Sequence, residues 1–168
     1  MKKVFLMVVV ALCVATASAQ INLGVNAGVQ VPTASGGKTA FGVGINGEYL
    51  IMPNIGVGAN LGYYIFDRTE GVTSFVMPIV LTGKYYILTD NFRPYGGVDL
   101  GFYRIGASGG GFSSSVTKAG FAPVAGFQFG FTDNLALDVN AKYTHILTEY
   151  ESTGLIGFHV GIVYTIGR

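Results

Sequence analysis

From Ile21 onward the chain alternates apolar and small polar residues with a period of two. Ile21, Leu23, Val25, Ala27, Val29 and Val31 fall on one face; Asn22, Gly24, Asn26, Gly28 and Gln30 fall on the other. Only an extended strand sends successive side chains to opposite sides, so this pattern predicts a first strand that stops at Pro32 and the Ser35-Gly36-Gly37 stretch. A second follows over about Ala40 to Ile51. It sets Phe41, Val43, Ile45, Tyr49 and Ile51 against Gly42, Gly44, Asn46 and Glu48. Met52-Pro53-Asn54 turns the chain into a third, where Ile55, Val57, Ala59, Leu61 and Tyr63 oppose Gly56, Gly58, Asn60, Gly62 and Tyr64.

The pattern repeats five more times. Strand four runs from about Ser74 to Tyr86 and closes with Lys84-Tyr85-Tyr86; strand five runs from about Pro94 to Arg104. Strand six covers about Gly120 to Phe131, strand seven Leu135 to about Ile146, and strand eight about Gly154 to Ile166. Pro78 and Pro123 cannot donate to a ladder and are expected at a bulge or strand start near the outer rim. Three connections are short turns, at Pro53, Asp90 and Asp133; the other four, 32–39, 67–73, 105–119 and 147–153, read as longer loops. Eight strands joined alternately by short turns and long loops predict an all-β, antiparallel up-and-down barrel.

Composition changes where such a barrel belongs. Charged residues are 11% of the 168-residue chain, hydrophobic residues reach 50%, and there are 26 glycines. A soluble domain carries about 25% charge. Yet beyond residue 19 no long uninterrupted apolar run occurs, so a helical membrane protein is excluded and a transmembrane barrel is the remaining way to satisfy the backbone in lipid. Side-chain volume agrees. The Phe, Tyr, Ile, Leu and Val set would overfill the interior of a barrel this small, whereas the glycine-rich set fits it, so a soluble lipocalin-type barrel is disfavoured. The formal net charge of +1 gives no electrostatic case for nucleic-acid binding.

The first nineteen residues differ from the rest. Lys2 and Lys3, an apolar run from Val4 to Ala15 and Ala17-Ser18-Ala19 have the three parts of a secretory signal cleaved before Gln20. The expected organisation is therefore a signal peptide over 1–19 and a barrel domain over 20–168, exported to the outer membrane. The single cysteine, Cys13, lies in the signal, with Leu12 before it where a lipoprotein would need a small residue. The exported chain then has no thiol chemistry.

The glycine-alternating strands, the strand-closing Lys84-Tyr85-Tyr86 and the final Gly161-Ile162-Val163-Tyr164-Thr165-Ile166 resemble the small outer-membrane barrels of the OmpA/OmpX type. That last segment is similar to the signal read by the barrel-assembly machinery, although it ends in Gly167-Arg168 where an aromatic residue is common. The resemblance implies outer-membrane lipids as surroundings, the assembly machinery as a partner during insertion, and a monomer. It does not fix a function.

Candidate chemistry centres on the inward face. Glu48, Lys84, Asp99, Asp138 and Lys142 all fall there, in the half nearer the short turns. Charges in so narrow a space must pair, because unpaired burial costs several kcal/mol. They are expected either to plug the lumen or, by switching partners, to gate a narrow ion path. Tyr64, Tyr86 and His159 also point inward, and no second histidine lies near His159 in sequence to make a metal site. Tyr49, Phe75, Tyr85, Phe102, Tyr143 and Tyr164 lie near strand ends on the outward face, as interfacial aromatic girdles do.

His145 invites comparison with lipid A deacylase barrels, which set a serine two residues after an outward histidine. Leu147 stands at that position, so the nucleophile is missing. No enzyme and no cofactor are expected. The reading is a structural or surface-interaction (adhesin-like) barrel with external ligands met by the four long loops, and the alternative is a small porin-like channel for ions or small solutes.

Overall fold

In a computed structural model, which describes residues 20–34, 36–66, 72–109, 111–147 and 153–167, eight antiparallel strands close into one barrel. In order they are β1 (Gln20–Pro32), β2 (Ala40–Met52), β3 (Ile55–Phe66), β4 (Thr73–Tyr86), β5 (Phe92–Gly109), β6 (Phe112–Gly130), β7 (Leu135–Ile146) and β8 (Thr153–Ile166). Each strand pairs with the next in sequence, and β8 returns to β1 through Ile21↔Ile166 to Pro32↔Leu155. The proposed signal peptide, residues 67–71 of the second long loop and residues 148–152 of the fourth lie outside the described residues.

The period-two alternation sorts the side chains as the volume argument requires. Leu23, Val25, Phe41, Ile45, Leu81, Leu100 and Phe158 are exposed on the outer wall, while Asn22, Gln30, Glu48, Asp99, Gln128, Asp138, Thr144 and His159 are buried inside. The lumen glycines are there because nothing larger fits. A Cβ on Gly126 would lie 2.7 Å from that of Asn140 and 2.9 Å from the Tyr95 ring.

Two expectations are corrected. The segment 105–119 is not a loop. β5 and β6 continue as a paired ribbon from Phe102↔Ala119 to Gly109↔Phe112, turning at Gly111, whose φ of +81° favours glycine. Nor do Pro78 and Pro123 sit at a bulge or strand start. Each lies inside a strand, where the ladder to one neighbour is interrupted without a change of register. β3–β4 pairing passes from Leu61↔Ile79 to Tyr64↔Val76, and β6–β7 pairing from Phe121↔His145 to Val124↔Lys142. A proline has no N–H to give that ladder, so the neighbouring strand loses the bond and nothing else shifts.

Candidate functional site: the barrel lumen

Three strands at the short-turn end bring the first group together. Glu48 on β2 and Lys84 on β4 both flank β3 through Glu48↔Gly58 and Gly56↔Lys84, and β3 offers only glycine between them. The Lys84 Nζ reaches a Glu48 oxygen at 2.8 Å. The other Glu48 oxygen accepts from the Tyr86 hydroxyl at 2.6 Å and from the Asn22 amide at 3.2 Å. Asn22 in turn accepts from the Thr165 hydroxyl at 2.8 Å, which carries the network across the β1–β8 closure. Lys84 also lies over the Tyr95 ring, 4.7 Å from its centroid.

The second pair sits one layer deeper. Lys142 Nζ is 2.8 Å from one Asp99 oxygen, and the Thr82 hydroxyl donates to the other at 2.7 Å. Asp138 is held differently. The Tyr95 hydroxyl donates to its carboxylate at 3.0 and 3.1 Å, the Gln128 amide at 3.0 Å and the Asn140 amide at 2.7 Å, all of them neutral donors. The five charged residues named from sequence therefore meet in one cluster, and every one has a partner. Between the two pairs remains a cavity of about 30 Å³, lined by Asn26, Asn46, Asn60, Asp138 and Asn140 among others. That is room for about one or two waters.

Beyond the charged layer the lumen becomes apolar, which the sequence reading missed. Ala40, Tyr64, Val76, Val80, Tyr103, Ile146 and Leu155 are buried together as a collar, with Phe66 and Ile105 packed on it. The signal was available: these residues keep the inward parity of the predicted strands, but only Tyr64 among them was singled out, because parity along one strand does not show which residues of different strands share a level. His159 occupies the space between the layers. Its ring meets Tyr64 edge-on at 5.6 Å, and neither ring nitrogen has a hydrogen-bond partner; Gln30 Oε1 and Asn140 Oδ1 are orphaned as well. Tyr86, expected in the lumen, is fully buried there and packs on Tyr95 at 5.4 Å.

The outward aromatics form two groups. Tyr49, Tyr85 and Tyr164 lie at the short-turn end, opposite Ile21, Ile55 and Leu135 respectively. Phe75, Phe102 and Tyr143 lie toward the other end, where Phe75 stacks on Tyr63 at 5.5 Å and Phe102 is level with the top of β7 through Ala119. Phe41 and Tyr49 are eight positions apart on one strand, which at about 3.3 Å per residue and a tilt of about 40° separates the groups by roughly 20 Å. His145 faces outward against the Phe121 ring at 5.3 Å. No group of three or more histidine, cysteine or acidic residues suited to a metal exists among the described residues.

Comparison with known proteins agrees with this architecture. Residues 4–165 match the outer membrane protein beta-barrel domain family. An uncharacterized protein of Haemophilus influenzae is 30% identical over 86 residues, 45% of this chain and 46% of that protein, so the match spans about half of the relative. Among solved structures, Neisserial surface protein A superposes with a TM-score of 0.73 at 18% identity, covering 88% of this chain and 97% of that one. OprG of Pseudomonas aeruginosa gives 0.63 at 16% identity, covering 91% and 98%. Ail of Yersinia pestis gives 0.59 at 18% identity, covering 88% and 97%. At these identities the likeness is one of fold.

Proposed function

From the premise that the chain belongs to the outer membrane protein beta-barrel domain family, and so resides in the outer membrane, we propose a structural and surface-interaction role with the lumen closed to solute. The observation that carries this reading is the lumen's double filling. A paired charge layer leaves about 30 Å³ of free space, and an apolar collar lies beyond it. A hydrated ion needs a continuous polar path, and the collar offers Tyr, Val, Ile and Leu side chains in its place. The outward aromatics at the two ends act as interfacial girdles in lipid, with the short turns on the periplasmic side. The barrel acts as a monomer, a reading supported by the closed sheet, which needs no second copy to complete its strand pairing. The barrel-assembly machinery inserts it through its final strand. The same fold is compatible with an external ligand: Ail of Yersinia pestis has been crystallised with the heparin analogue sucrose octasulfate.

The runner-up is a small channel, favoured by the orphaned polar atoms of His159, Asn140 and Gln30, which water entering the lumen would satisfy. Single-channel recording on the refolded protein in a planar bilayer separates the two. Folded protein, shown by heat-modifiable gel mobility, is expected to leave the bilayer silent. Stable conductance that changes when Lys84 or Asp99 becomes alanine would replace the plug with a gated path.

A further inference from the structure

The β4–β6 ribbon reverses its polarity where it leaves the barrel. Within the barrel, outward positions of β5 are apolar up to Phe102; the next outward residue is Arg104, whose guanidinium donates to the Ser115 hydroxyl oxygen on β6 at 3.0 and 3.2 Å. Thr73, Ser108, Ser113 and Thr117 continue that polar outer face. The inner face changes in the opposite sense. Tyr103, Ile105 and Ala107 sit opposite Lys118, Val116 and Ser114, and the closing pair is Gly109↔Phe112. Val72, immediately before β4, keeps the inward parity of that strand. An apolar wall thus rises above the mouth, and Ile105 joins it to the collar below.

Among the described residues nothing covers this wall. Phe112 is 64% exposed, Val116 49% and Val72 39%. Lys118 stands at the foot of the wall on the same inner face, opposite Tyr103, and no ion pair holds it among the described residues. One cation below a strip of aliphatic and aromatic groups complements a molecule with an anionic head and a hydrocarbon chain.

We infer that the inner face of the β5–β6 ribbon, with Lys118, binds a soluble anionic amphiphile of the medium-chain carboxylate class. The carboxylate pairs with the Lys118 ammonium at the mouth, and the chain lies along Ile105 and Val116. Binding removes apolar surface from water at about 25 cal/mol per Å², which favours longer chains in steps. The inference goes beyond the closed-lumen reading and stands or falls separately from it.

The test uses the full exported chain in lipid nanodiscs, with methyl-labelled Val and Ile, titrated with octanoate. Saturable shifts are expected at Val116 and Ile105, and butanoate is expected to give none. Lys118→Gln should weaken octanoate binding roughly tenfold, the worth of one charge-assisted bond, and Val116→Asp should abolish it. Both sites lie on the ribbon, and heat-modifiable mobility reports that each variant has folded. Shifts that stay linear, or that are unchanged in both variants, would mean that octanoate only partitions into the bilayer and would overturn the site. Equal affinity for octanoate in Lys118→Gln would overturn the headgroup assignment.

Discussion

Lys84→Ala is expected to destabilise the folded barrel by about 3 kcal/mol, the lower end of the range for removing one partner of a buried ion pair. Both partners are well buried, with side-chain exposures of 11% for Lys84 and 4% for Glu48. Removing the ammonium leaves the Glu48 carboxylate in the lumen with the Tyr86 hydroxyl and the Asn22 amide as donors and no cation in contact. Those two bonds keep the cost from the top of the range. The double variant Glu48→Gln with Lys84→Met removes both charges and keeps most of the volume, so it is expected to lie within about 1 kcal/mol of the parent. Urea-induced unfolding in lipid vesicles, followed by circular dichroism because the chain has no Trp, measures both. A single variant as stable as the parent would show that the pair is screened by water in the lumen, and the plug would lose its central element.

The second large effect separates glycines by the face they occupy. Gly101→Ala is expected to lower stability by about 1–3 kcal/mol, the usual cost of forcing extra volume into a packed interior. Its Cβ would overlap the Ile79 carbonyl oxygen and come within 2.7 Å of the Val80 Cα, both of them backbone of the neighbouring strand. No rotamer change can relieve that contact. Gly83→Ala is the control on the lipid side, where an added Cβ meets nothing within 4 Å. It is expected to stabilise by about 0.5–1 kcal/mol, because alanine restricts the unfolded chain more than glycine does. The same denaturation experiment reads both variants. Equal effects at the two positions would mean that the inner wall has more slack than its contacts indicate.

Much of this was legible from residue order. Parity alone places Glu48, Lys84, Asp99, Asp138 and Lys142 inside, because a strand has two faces and one of them is plainly apolar. What parity cannot give is which charges meet. The Glu48–Lys84 contact depends on glycines at 56 and 58 leaving room across β3, and the Asp99–Lys142 contact on the register that sets the two on either side of β6 through Asp99↔Ala122 and Val124↔Lys142. The β5–β6 ribbon was hidden by its composition. Gly-Ala-Ser-Gly and Ser-Ser-Ser carry little strand propensity, and the reversed polarity above Phe102 cancels the signal that identified the strands below. The prolines misled in the opposite way: an antiparallel ladder tolerates a missing donor inside a strand when only one neighbour loses its bond.

The rising ribbon also sets where the protein can change length. Above Ala119, β6 pairs with β5 alone, and the turn at Gly111 closes on no other part of the described chain. A peptide spliced into that turn extends the β5–β6 hairpin past Thr73↔Ser108, where β4 pairing ends, and leaves every bond of the closed sheet in register, which is what a scaffold for displaying foreign epitopes at a cell surface requires.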